Sequence, residues 1–166
     1  MINQIKGLHH VTSLASDARE NNAFFTNVLG LRRIKKTVNF DAPDVYHLYY
    51  GDEEGSPGTV MTYFPFPNAG RGAKGIGEVG RTAFSIPTGS AKAWLDRFAA
   101  FDMKGMTQDT RFGQNRVLFD GPDGDQFALV ESDDDRTPWT GNGVSAEMGI
   151  RGFHSADMRL KDAGVS

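Results

Sequence analysis

The order of segments along this chain repeats, and that repeat limits the fold more than any single motif does. Residues 8–15 alternate so that Leu8, His10, Thr12 and Leu14 fall on one face of a strand. Asp17 then stands at a helix N-cap with Glu20 three residues on, the spacing of a capping box. Phe24, Phe25, Val28 and Leu29 share one side of that helix, and Gly30 is placed to end it. Residues 31–39, 46–50 and 59–64 read as three strands separated by Asp/Pro- and Gly-rich turns. After a Gly- and Pro-rich connector at 65–80, the same order returns. It gives a strand at 81–86, a helix capped by Ser90 and carrying Trp94, Leu95, Phe98 and Phe101, then strands at 106–112, 115–119 and 126–131. Two βαβββ units, alike in order rather than identity, predict an α+β fold.

The stretch 132–149 turns acidic and then Gly/Pro-punctuated, as a linker does, and the run 131–135 reads as solvated. Residues 150–160 look like the first strand of a third unit whose helix does not follow. The expected division is 1–64 for the first unit, 65–80 for the loop, 81–131 for the second unit, 132–149 for the linker and 150–166 for the start of a truncated third unit.

Composition narrows the function classes. The chain has 166 residues, enough for one domain or two small units sharing a core, and twelve Phe to fill it. No run approaches the roughly 20 apolar residues of a membrane span, and no signal peptide opens the chain. A net charge of −3 gives no basic footprint for nucleic acid. The absence of Cys excludes disulfides, thiolate metal sites and a Cys nucleophile, and suits a cytoplasmic setting.

Three motifs carry bland readings. Gly70-Arg71-Gly72-Ala73-Lys74-Gly75 spells a dinucleotide fingerprint, but it runs into a strand where a phosphate site needs a helix. Asp120 to Asp125 lacks the alternation of a calcium loop, and Asp123-Gly124 between two strands is a hairpin turn. His47, in a strand of Tyr and Leu, reads as structural. His9 and His10 alternate to opposite faces, so at most one enters a given cavity, and a metal would need further N or O donors.

The repeated order, Gly7-Leu8-His9-His10-Val11-Thr12 in the first strand, Phe24-Phe25 before Val28-Leu29-Gly30-Leu31, and Asp120-Gly121-Pro122-Asp123-Gly124 together resemble the vicinal oxygen chelate superfamily. That family includes glyoxalase I, bleomycin-resistance proteins and extradiol dioxygenases. The resemblance implies mixed, curved sheets with helices on the outside. Tyr46-His47-Leu48-Tyr49-Tyr50, the segment 57–65, Thr110-Arg111-Phe112-Gly113-Gln114 and Arg151-Gly152-Phe153-His154-Ser155 look more narrowly like hydroquinone ring-cleaving dioxygenases of the chlorohydroquinone 1,2-dioxygenase type.

Such enzymes carry four units and hold Fe(II), with Mn(II) the alternative, by two His and one Glu, leaving positions open for a small aromatic diol and O₂. The resemblance implies that His10 is a metal ligand, Thr12 an outer-sphere residue on the same strand face, and His9 a weaker candidate for the same neighbourhood. Other slots are blank. Arg81 follows Gly80 where two-unit relatives place a His, Ala128 stands where they place a Glu, and no carboxylate lies near Met61 or Thr62. The expectation is therefore an N-terminal portion lacking two metal ligands, with a missing C-terminal half as partner. It would bind iron weakly and be inactive alone. Homo-oligomerisation would add a second His10 but no carboxylate. The rival readings are a metal-free aromatic-binding module lined by Phe64, Phe84 and Phe112, and a glyoxalase-like metal isomerase.

Overall fold

The computed structural model describes residues 4–70 and 72–164. Both units form as the repeat predicts. The first runs β1 (His10–Ala15), α1 (Ala18–Ala23), β2 (Arg32–Val38), β3 (Tyr46–Gly51) and β4 (Val60–Pro65). The second runs β5 (Glu78–Ile86), α2 (Ala91–Ala100), β6 (Thr107–Arg111), β7 (Gln114–Asp120) and β8 (Gln126–Glu131), and β9 (Gly152–Arg159) follows. Asp17 caps α1 by accepting from the amides of Arg19 and Glu20. The helix then widens into a π turn over Phe24–Val28, where the Leu29 amide reaches back to the Phe24 carbonyl. Gly30 ends it at φ +69, and a Cβ there would run into Val144.

The first sheet has the order β1-β4-β3-β2 and the second β6-β7-β8-β5-β9. Each is mixed: β1–β4 and β5–β8 are parallel, while the remaining pairs are antiparallel. Strand β9 lies antiparallel on the outer edge of β5, so Gly152–Arg159 belongs to the second sheet. Its counterpart β1 is an edge strand.

One face of each sheet is buried. Phe25 stacks on Tyr50 at 4.8 Å between ring centres and meets Tyr63 at 5.0 Å. Phe24 and Phe25 both reach Phe127 on β8, which leads on to Phe119, Phe98 and Trp94 of the second unit. Phe84 stacks on Phe153 of β9. Each fully buried side chain of this size contributes roughly 1.5–3 kcal/mol. The exposed Lys92–Asp96 pair belongs to a class worth about 0–1 kcal/mol. The ring ladder therefore joins the sheets, with the helices on this face; on the other face of the second sheet Ala83, Ala128 and Val130 form a smaller buried cluster.

Three local expectations are corrected. Ser90 does not cap α2, because its hydroxyl turns back to the Pro87 carbonyl; Glu131 of β8 accepts from the Ala91 amide instead. Glu131 is thus buried, not solvated. The stretch 132–149 packs as a strap: Val144 enters the core, Trp94 donates to the Met148 carbonyl, and Arg136 donates to the carbonyls of Gly58 and Phe153. No helix among the described residues is long and apolar enough to cross a membrane.

Candidate functional site

Strand alternation sorts β1 cleanly. Val11 and Ala15 face the core, whereas His10, Thr12 and Leu14 face outward and are exposed. The register carries that open face across the sheet. Thr12 pairs with Thr62, which pairs with Tyr49, which pairs with Lys35; Leu14 pairs with Phe64, and His47 with Thr37. Thr12 and Thr62 hydroxyls share a hydrogen bond of 2.9 Å, and Thr62 is buried beneath it. Tyr49 Oη lies 2.7 Å from His47 Nδ1, and the His47 ring lies tilted against Phe64 with ring centres 4.0 Å apart. Burial first, then the charges of His10 and Lys35, hold the His47 imidazole below its ordinary pKa. His10 and Thr12 therefore share a polar, aromatic wall with His47 and Tyr49.

His9 and His10 do not diverge as alternation predicts. His9 precedes β1, its carbonyl is held by the Gly58 amide, and its ring turns edge-on to His10 with the two Nδ1 atoms 3.1 Å apart. One of the two must donate and the other accept. If His10 donates from Nδ1, its Nε2 lone pair is left free for a ligand.

The other predicted positions lie apart. Where a carboxylate was sought near Met61 or Thr62, Met61 is core and Thr62 bonds Thr12. Arg81 and Ala128 belong to the second sheet; Ala128 is buried there, and the same sheet carries the ion pairs Arg116–Asp109 and Arg111–Asp157. His154 sits exposed on β9 beside Ser155. Phe64, Phe84 and Phe112 line no common cleft: Phe64 is on the open face, Phe84 is core, and Phe112 is 89% exposed at the β6–β7 turn. The Gly-rich loop runs without a helix into β5, as expected, with Arg71 outside the described residues. Asp120 to Asp125 forms the predicted turn, but it also clamps the first unit. Asp123 accepts from the Ser16 amide and hydroxyl, and Asp125 from Ser13 and Tyr63.

Beside the outer edge of β1 lies a groove of about 750 Å³, bounded by Thr12 and Ser13, by Gly72 and Lys74 of the loop, and by Asp123 and Asp125. Among the described residues no group of three or more His, Cys, Asp or Glu side chains could hold a metal ion. The residues present supply His10 as a single exposed donor with His9 behind it, and so do not by themselves fit a facial triad.

A family model described as the Glyoxalase/Bleomycin resistance protein/Dioxygenase superfamily matches residues 7–129. The chain belongs to this superfamily. Within it, the chain is 43% identical over 149 residues to MhqE of Bacillus subtilis (strain 168), provisionally named a ring-cleaving dioxygenase, covering 89% of this chain and 49% of that protein. It is 36% identical over 157 residues to the chlorohydroquinone/hydroquinone 1,2-dioxygenase of Sphingobium indicum, covering 92% and 49%. A crystal structure of a provisionally named dioxygenase from Bacillus subtilis superposes with a TM-score of 0.87 at 40% identity, over 92% of this chain and 49% of that one. The manganese and sulfate complex of the fosfomycin resistance protein FosX from Listeria monocytogenes, at 18% identity and TM-score 0.56 over 78% and 94%, shares the fold alone. The chain spans about half the length of the dioxygenase relatives it matches.

The open-face row Thr62–Tyr49–Lys35 and the His47–Tyr49 contact were not legible beforehand as site features. They depend on pairing between strands, and only the Tyr-rich run at 46–50 hinted at them.

Proposed function

We propose that this chain is the N-terminal portion of an Fe(II)-dependent, extradiol-type ring-cleaving dioxygenase acting on hydroquinone-like aromatics. The observation that carries this reading is His10, exposed on an open sheet face, with its Nδ1 against His9 and Thr12 beside it. The relatives' names support the reaction class, and their length supports further ligands from residues outside this chain. The strand edges support it too. β5 carries β9 on its outer edge, whereas β1 pairs with no strand there among the described residues and opens on a groove.

In this reading His10 is one metal donor, held in its ligating tautomer by His9, and Thr12 steadies the neighbourhood through its bond to Thr62. The bound metal supplies the one-electron and O₂ chemistry that side chains lack. Phe64 gives the ring an apolar floor. Alone, the chain binds Fe(II) weakly and does not turn over.

Anaerobic loading with Fe(II), followed by metal analysis and oxygen uptake with hydroquinone, tests the proposal. The expected result is iron well below one per chain and no uptake. The longer protein of which this chain is a part should hold iron and consume oxygen, and His10→Ala should abolish both. Tight iron at one per chain, or unchanged activity in His10→Ala, would overturn the reading.

A further inference from the structure

We propose that the concave face of the second sheet binds a small carboxylate, with the Arg81 guanidinium as its anchor. The site lies apart from the open face of the first sheet and needs no metal, so it does not depend on the ring-cleaving reading.

The sheet itself supplies the enclosure. β6 and β9 are its two edges, four strand spacings or roughly 19 Å apart if the sheet were flat. Yet Arg111 of β6 meets Asp157 of β9 at 2.8 Å. Two side chains do not span that width over a flat surface, so the sheet curls and its edges face each other across a trough. Arg81, Ala83 and Ser85 of β5 alternate onto this face, away from Phe84 and Ile86 in the main core. Ala83 pairs with Ala128 and Ser155, Arg81 with Asp157, and Arg116 with Asp109 and Val130. Ala83, Ala128 and Val130 are buried here with Leu118 packed on them, so the trough has an apolar floor.

Three guanidiniums and two carboxylates converge above it. Arg116 donates twice to Asp109, at 2.7 and 2.6 Å, and Arg111 donates to Asp157. Asp109 is held below its ordinary pKa first by its bond to Arg116, and also by the charges of Arg81 and Arg111. Arg81 is the exception. It makes no hydrogen bond or ion pair with any described residue, and its Nε is buried without an acceptor. Asp120, also on this face, stands two strands away and is exposed.

A buried N–H without an acceptor is costly, and a carboxylate is what the two neighbouring guanidiniums already hold. The planar fork of Arg81 matches a carboxylate with two parallel bonds, and the apolar floor strengthens them. Asp109 and Asp157 favour a singly charged group over a dianion such as phosphate, whose second charge they repel. The repeat points to the same position. Arg81 stands five residues before the end of β5 at Ile86, as His10 stands five before the end of β1 at Ala15. One strand position thus carries a nitrogen donor in the first unit and an anion-binding cation in the second.

The test follows the Arg81 Nε–H resonance, assigned by its loss in Arg81→Lys, in nitrogen–proton spectra of the 166-residue chain. Sodium acetate is titrated at neutral pH and constant ionic strength, with chloride and inorganic phosphate as comparators. Acetate should shift the resonance saturably, and neither comparator should match it. Arg81→Lys keeps the charge but loses the fork, so saturating the Ala83 and Asp157 amide shifts should take about tenfold more acetate. The wild-type titration needs no variant to fold. No saturable shift with acetate, equal shifts with chloride or phosphate, or unchanged acetate binding in Arg81→Lys would overturn the inference.

Discussion

Asp125 sits half-buried between the two units, and its hydrogen-bond partners are hydroxyls rather than a cation: Ser13 at 2.9 Å and Tyr63 at 2.8 Å. Burial raises its pKa above the free value of 3.8, and the Asp123 charge adds to this while the two hydroxyls pull it back. The folded chain therefore holds that proton more tightly than the unfolded chain. Its stabilising contribution is complete below 3.8 and is lost as pH rises through the folded value. Asp134 runs the other way. Hydrogen bonds from Arg136 hold it well below its ordinary value, so its contribution is present above 3.8 and lost on acidification. Asp125→Asn removes only the first dependence. Its melting temperature relative to wild type should climb as pH rises above 3.8. A difference that stays flat or falls over that range would show that Asp125 is not held protonated by burial. Asp125→Ala should cost about 1–3 kcal/mol, because the buried Tyr63 hydroxyl loses its acceptor.

At the scale of elements, α2 shows where local reasoning stops. Ser90 stands at the right place for a cap, yet its hydroxyl bonds Pro87, and the first free amide of the helix is taken by Glu131, forty residues on. The other Glu131 oxygen accepts from Asn115. Glu131→Ala strands both donors and should cost about 1–2 kcal/mol, more than Ser90→Ala, as read from urea midpoints. A larger loss in Ser90→Ala would restore the local cap.

The same limit divides the legible from the hidden elsewhere. Strand and helix order could be read because periodicity and caps act within a few residues, as Asp17 and Gly30 show. His10 and Thr12 could be placed on one face because alternation is a local rule. That Thr12 meets Thr62, and that Thr62 leads to Tyr49, depends on register between strands separated by up to 50 residues, which alternation does not specify. His9 escaped because it lies just outside β1, where strand alternation no longer fixes its direction.

For the whole molecule, the repeat gives two small units, and the packing ties them together. The ring ladder crosses from Phe25 to Phe127, and Arg97 of α2 spends its guanidinium on carbonyls outside its own unit's sheet. It donates to Asn27 and Val28 at the end of the first helix, and to Asn142 and Gly143 of the strap. Four carbonyls from two other segments accept from this one side chain, which makes it a joint between first unit, second unit and strap. Arg97→Lys keeps the charge but cannot reproduce the fork, and should cost on the order of 1–3 kcal/mol. Because the joint and the core are shared, that loss should lower the melting of the whole chain. Tryptophan fluorescence, from Trp94 in the core and Trp139 in the strap, should fall at the same temperature as the far-ultraviolet signal in both wild type and variant. Separate transitions, with Arg97→Lys shifting only the fluorescence, would mean that the units fold independently and that the strap merely rests on them.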